Sequence, residues 1–209
     1  MKRLIIVAAT ASLVTARAEV VLDESFSYDD GPIVLQAADT WKNHSGTEGQ
    51  TEMVDGRLNL SQTASEDINA MLPRGPYKKS GGGTMYASFD VEFTELPSGG
   101  GSYFAHFKDK GTGYRGRIVA QAIGAEGGAL RIGVTSKGKV STAVFDSDLH
   151  LETVYKVVIA LNLADAGTTL WVDPDGDMAG GVTTTDNGSG AVSYTHLRAH
   201  ETRHDLVCR

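Results

Sequence analysis

One cysteine, Cys208, in 209 residues excludes an internal disulfide, so the fold must be held by packing, hydrogen bonds or bound ions. No apolar run reaches the roughly 20 residues that a membrane-spanning helix needs. The longest, Leu4 to Val14, is broken by Thr10 and Ser12. Basic charge is not in excess. The formal net charge is −7, which argues against nucleic acid or an anionic membrane as partner, since both require a basic footprint. Long amphipathic helical patterns are also missing between Glu19 and Gly190, and the only stretch where a helical turn is expected is Ala64 to Leu72.

The two ends differ from the rest. Residues 1–18 combine Lys2 and Arg3, the apolar run and the A-x-A motif Ala16-Arg17-Ala18, the pattern of a secretory signal peptide cut before Glu19. That predicts a secreted or cell-surface protein. From about Ser193 the text SYTHLRAHETRHDLVCR changes composition abruptly, and it resembles translated sequencing-adapter read-through. Residues 193–209 are therefore expected to be non-native, with the native chain continuing differently after Val192. Within them His196, His200 and His204 are spaced i, i+4, i+8, which would align them on one helical face as transition-metal ligands. The leader holds three cations (Lys2, Arg3, Arg17), and the tail holds three (Arg198, Arg203, Arg209) against Glu201 and Asp205. From the whole-chain −7, the stretch between them carries −11.

Residues 19–192 read as one domain of short alternating strands separated by turn residues. Val20 to Tyr28 ends at Asp29-Asp30-Gly31-Pro32, and Met53 to Leu60 turns at Asp55-Gly56. Tyr114 to Ile123, Ala129 to Thr135 and Val140 to Phe145 follow, and Thr153 to Asp173 forms a late hairpin. At the centre, Tyr86 to Lys108 reads as a hairpin around Leu96-Pro97-Ser98 and a glycine run. Its period-2 pattern predicts Phe89, Val91, Phe93, Tyr103, Ala105 and Phe107 in the core, with Glu92 and His106 on the other face.

The strings DESFSYDDGPI, GGGTMYASFDVEFTELPSGGGSYFAHFKD, YRGRIVA and TVYKVVIALNLADAGTTLWVDP resemble the laminin-G/concanavalin A-like jelly rolls of large secreted bacterial proteins. The resemblance implies an all-β, antiparallel two-sheet jelly-roll sandwich. The tail would stand in place of its closing strand and leave an open edge. That fold hosts lectins, adhesion modules, glycosidases and lyases. The expected role is a non-catalytic accessory module, fused to further domains, that binds carbohydrate or extracellular matrix or acts as a spacer.

Three groups of residues could carry chemistry. Asp90, Glu92 and Glu95 resemble the one-strand carboxylates of family-16 glycoside hydrolases, but the order is D-x-E-x-x-E rather than E-x-D-x-E or E-x-D-x-x-E, and Glu95 needs a bulge to join the other two. This is the catalytic alternative. Glu92, His106, Arg115, Arg117 and Arg131 could line a ligand-binding sheet face, although alternating charges also describe any half-wet sheet. Asp173, Asp175 and Asp177 place three carboxylates at alternate positions of a turn, as Ca²⁺ prefers; Met178 and Thr184 stand where an EF-hand has glycine and glutamate. Trp41 and Trp171 are the remaining candidates for sugar platforms, although Trp171, flanked by Leu170 and Val172 in a strand, reads as packing.

Overall fold

The computed structural model of the chain describes residues 4–9, 19–111, 113–176, 178–186, 191–198 and 205–208, without the side chains of 7–9 and 205–208. Along the chain the first strands are β1 (Leu4–Ala9), β2 (Glu19–Glu24), β3 (Gly31–Pro32), β4 (Trp41–Ser45), β5 (Glu52–Val54), β6 (Arg57–Ser61), β7 (Asp67–Met71), β8 (Thr84–Phe93) and β9 (Ser102–Lys108). They are followed by β10 (Tyr114–Gln121), β11 (Ala129–Thr135), β12 (Ala143–Val144), β13 (Leu149–His150), β14 (Val154–Asn162), β15 (Thr168–Val172), β16 (Val182–Thr183), β17 (Tyr194–Arg198) and β18 (Asp205–Cys208). Helix α1 (Ile33–Gln36) is a single turn.

The strands form two antiparallel sheets. The back sheet runs β16-β15-β14-β8-β18-β6-β5-β3, with β1 beside β8 and β2 beside β1; the front sheet runs β12-β11-β10-β9-β17-β7-β4, with β13 beside β11. Between them lies one apolar core that includes Trp41, Phe89, Phe93, Phe107, Ile118, Ile132, Ile159 and Leu170. The jelly-roll sandwich expected from the sequence is the observed architecture.

The central pair of strands is not a hairpin. β8 pairs with β14, β1 and β18 in the back sheet, whereas β9 pairs with β10 and β17 in the front sheet. The Pro/Gly/Ser segment between them carries the chain from one sheet to the other. Both strands can then bury their apolar faces in the same core from opposite sides: Phe104 of β9 meets Phe89 and Phe93 of β8 edge-on, at 6.2 and 5.9 Å.

A bulge in β9 changes which residues reach that core. Ile118 of β10 pairs with Ala105 and Val119 with Tyr103, so Phe104 is an extra residue on β9. Phe104 and Ala105 both join the core, and Tyr103, although buried, turns to the outer face. Tyr103 thus departs from its expected core position. Phe89, Val91, Phe93, Ala105 and Phe107 take theirs.

Two further differences follow from local context. The stretch expected to turn as a helix is strand β7, because Ile68 and Ala70 point inward while Asp67 and Asn69 stay partly exposed. The front sheet is also not left open. β17 lies between β9 and β7: Thr195 and Leu197 are buried inward, opposite Phe107 and Ala105, and His196 between them is buried against His106 on the other face. β18 enters the back sheet between β8 and β6. The hairpin at Asp55-Gly56 forms as expected, both residues taking positive φ (50° and 70°).

Candidate functional site

The residues expected to share one binding face are divided between the sheets. Asp90 and Glu92 lie on the outer face of the back sheet. Lys156, directly opposite Asp90 on β14, sets its Nζ 3.3 Å from that carboxylate, and Arg57 Nη1 lies 3.2 Å from Glu92 Oε2. β8 ends at Phe93, which leaves Glu95 exposed in the following turn. The three carboxylates do not converge, and the two on the strand are each taken up by a cation, so the one-strand hydrolase arrangement is not formed. The Lys156–Asp90 pair is a surface pair. Lys156→Ala is expected to cost less than about 1 kcal/mol in chemical denaturation.

Arg115 is buried and held by Asp109 (3.6 Å) and by the Tyr114 carbonyl (2.6 Å). Arg131 pairs with Asp148 and Asp146 (2.6 and 2.9 Å). Trp41 is fully buried, stacks on Phe26 and donates from Nε1 to Glu24 (2.9 Å); Trp171 donates to the Met178 carbonyl (2.6 Å). Both tryptophans are structural.

Of the aspartate run, Asp173 Oδ1 accepts the Lys156 backbone N–H (2.6 Å) and Asp175 is exposed, while Asp177 lies outside the described residues. One oxygen of Asp173 is therefore engaged in closing its own turn. His196 is on a strand rather than a helix, and His200 and His204 lie outside the described residues. Among the described residues no group of three or more His, Cys, Asp or Glu side chains is placed to hold a metal ion.

What the fold does assemble is on the outer face of the front sheet. Gly101, Ser102, Tyr103, Tyr114, Arg117, Lys139 and Arg198 enclose an open depression of about 380 Å³. The bulge that turns Tyr103 outward creates its centre. Arg198 lies over the Tyr103 ring at 4.7 Å, and Arg117 lies 4.6 Å from the same ring and 3.7 Å from that of Tyr114. Cations and aromatic faces thus alternate along the wall.

Arg198 is neutralised by Asp67 (3.0 Å), but Arg117 has no carboxylate partner among the described residues. Its Nη1 donates instead to the carbonyls of Lys137 (3.2 Å) and Gly138. Burial lowers its pKa, and the Tyr114 side chain partly opposes that shift. A guanidinium pinned by main-chain carbonyls keeps its charge free for an anion.

The loop that supplies those carbonyls is fixed by Asp186. Its carboxylate accepts from Ser136 N–H (2.9 Å), Lys137 N–H (3.0 Å), Thr135 Oγ1 (2.9 Å) and Thr142 Oγ1 (2.7 Å). Burial by itself raises this carboxyl; the bonds from Thr142, Ser136, Lys137 and Thr135 outweigh it and hold the group well below the usual carboxylate range.

Beside the depression lies a histidine layer. His106 packs edge-on to Tyr114 and Tyr103 (5.0 and 5.6 Å) and stacks on His196 (4.8 Å, 13°), which meets His44 edge-on at 4.4 Å. Lys108 Nζ donates to His44 Nε2 (3.1 Å), and the His106 Nδ1–H donates to the Phe107 carbonyl (3.0 Å). Burial, reinforced by Arg117, Lys108 and His44, pushes His106 down to about 3. Burial, reinforced by His106, His44 and Lys108, pushes His196 down to about 2. Both rings are neutral at physiological pH and serve as packing.

No protein-family model matches the chain, and no curated protein matches its sequence. Solved structures do share its shape. A sialidase superposes with a TM-score of 0.56 at 13% identity over 90% of this chain, which spans only 18% of the sialidase. The alginate lyase AlgAT5 of polysaccharide lyase family 7 gives 0.50 at 14% identity, covering 97% of this chain and 90% of that one. The alginate lyase from Corynebacterium sp. gives 0.51 at 12% identity, covering 86% and 95%. At these identities the likeness establishes the fold. The chain is a concanavalin A-like jelly roll, an architecture shared with carbohydrate-active proteins. No helix among its described residues is long and apolar enough to cross a membrane.

Proposed function

We propose that the domain is a secreted, non-catalytic carbohydrate-binding module that takes an acidic saccharide in the depression on the front sheet. The observation that carries this reading is Arg117, a buried cation without a carboxylate partner among the described residues, set between two tyrosine rings at the bottom of an open concavity. Sugar rings stack on aromatic faces, and a carboxylate or sulfate substituent supplies the anion that Arg117 and the exposed Lys139 lack among the described residues. Tyr103, Tyr114, Arg117 and Lys139 all precede residue 193, and of the residues that enclose the depression Arg198 alone belongs to the tail. The fold supports the reading by its carbohydrate-related neighbours. Tethering a glycan or matrix component beside a fused domain is the role that follows.

Titration calorimetry with a short oligouronate tests it. Lys139→Glu, an exposed substitution, is expected to weaken binding several-fold without changing the melting temperature, and Arg117→Ala to weaken it by at least about tenfold. Unchanged affinity in both variants would overturn the assignment.

A further inference from the structure

The front sheet concentrates positive charge in an acidic chain. Its adjacent strands β10, β9, β17, β7 and β4 hold Arg115, Arg117, Lys108, Arg198 and Lys42 but a single carboxylate, Asp67, although the stretch between leader and tail carries −11. Asp67 is paired with Arg198, and Arg115 with Asp109. Lys108 has no carboxylate partner among the described residues. The residue is only 6% exposed, and its ammonium carries three N–H donors. Among the described residues one acceptor is placed on them, His44 Nε2 at 3.1 Å, so two donors are left over. β9 and β4 are separated by β17 and β7, which means that Lys108 reaches across the outer face of the sheet to make this bond. His44 is exposed. Burial of part of its ring and the Lys108 ammonium lower its pKa, against the opposing pull of Asp67, so the ring is neutral at physiological pH. With Nε2 accepting from Lys108, its proton sits on Nδ1, a donor with no acceptor among the described residues.

We propose that Lys108 and His44 form a second acid-binding subsite, and that the ligand is a polyuronate, a chain with carboxylates on successive sugars, which lies across the strands from the depression toward β4. This rests on the reading that the depression takes an acidic saccharide. Lys108 supplies the charge and two N–H donors for a carboxylate, and the His44 Nδ1–H serves a neighbouring hydroxyl or ring oxygen. Like Arg117, which is 4% exposed, Lys108 is a cation held in place by its surroundings and left without a counter-charge of its own among the described residues. The two places share one face. From Tyr114 at the depression, ring contacts of 5.0, 4.8 and 4.4 Å run through His106 and His196 to His44, so one short oligosaccharide spans both. A ligand with a single terminal acid would satisfy Arg117 and leave Lys108 without an anion.

Titration calorimetry of the full chain with a diuronate and a hexauronate of the same sugar separates the subsites, because the diuronate fills the depression alone. The native chain is expected to bind the hexauronate at least about tenfold more tightly than the diuronate. His44→Glu, a change at an exposed position, sets a carboxylate against Lys108 and occupies the subsite from within. It should shrink the hexauronate advantage to about threefold or less and leave the diuronate affinity within about twofold of native. Lys108→Met, which keeps the aliphatic stem and removes the charge, should do the same, with cooperative melting as the check that it folds. Equal affinity of the native chain for the two sugars, or an undiminished hexauronate advantage in either folded variant, would overturn the second subsite and leave the depression standing. Binding of neither sugar to the native chain would overturn both.

Discussion

Lowering the pH from 7.5 to 4.5 is expected to remove about 5 kcal/mol of folding stability, through His106 and His196. Both rings are buried, at 4% and 1% exposure, and both have pKa values depressed in the folded chain, to about 3 and about 2 from the ordinary 6.5. Between those limits the unfolded chain binds a proton at each ring that the folded chain excludes. Stability therefore falls as pH falls below about 6.5, by up to about 1.4 kcal/mol per pH unit for each ring, and is flat above it. Asp186 and Asp148, whose carboxyls are depressed, also lose their contribution on acidification, but only near and below the carboxylate range. The window above pH 4.5 therefore belongs to the histidines. Urea denaturation at a series of pH values reads the slope. His106→Phe, which keeps a ring in the stack, should roughly halve it; a slope unchanged in that variant would show that the stack does not govern the acid response.

Glu66→Ala is expected to cost about 3–5 kcal/mol. The side chain is fully buried, and its two oxygens accept the Asn43 Nδ2 (3.2 Å) and the backbone N–H groups of Gly49 (3.1 Å) and Thr51 (2.7 Å). These donors belong to β4 and to the segment that leads into β5, so one carboxylate ties the edge of the front sheet to the back sheet. Truncation would leave buried backbone donors with no acceptor, which costs more than the bonds themselves contribute. Glu66→Gln keeps one oxygen and should lose about half as much. A Glu66→Ala chain less than about 1 kcal/mol weaker in denaturant unfolding would mean that the segment re-pairs elsewhere.

Strand positions were legible in the sequence because period-2 alternation is a local signal. Ala129–Thr135 is β11 as expected, and the Asp55-Gly56 corner is where a hairpin must turn. Sheet membership was not legible. Two adjacent alternating strands look the same whether they pair with each other or face each other across a core, and only the partners of β8 and β9 decide between the two. The site was half visible. Arg117 and His106 stand out in the sequence, but its alternation places Tyr103 in the core, because the bulge at Phe104 shifts the pattern by one residue and nothing in YFAHF marks an extra residue. Lys139 reaches the depression on a loop that Asp186 holds from 50 residues further along the chain, a contact that no local pattern reports. Glu24 and Glu66 look like ordinary surface carboxylates until the backbone donors close around them. The histidines of the tail read as a helical metal site by spacing alone, whereas burial of Thr195 and Leu197 selects a strand and turns His196 onto His106.

The central claim is that the depression between Tyr103 and Tyr114 recognises a negatively charged sugar through Arg117. The most direct measurement is a pair of calorimetric titrations at matched ionic strength, one with an oligouronate and one with the same oligosaccharide after reduction of its carboxyl groups. The oligouronate should bind at least about tenfold more tightly, with an affinity that falls as salt is added. Equal affinity for the two sugars, or binding of neither, would contradict it.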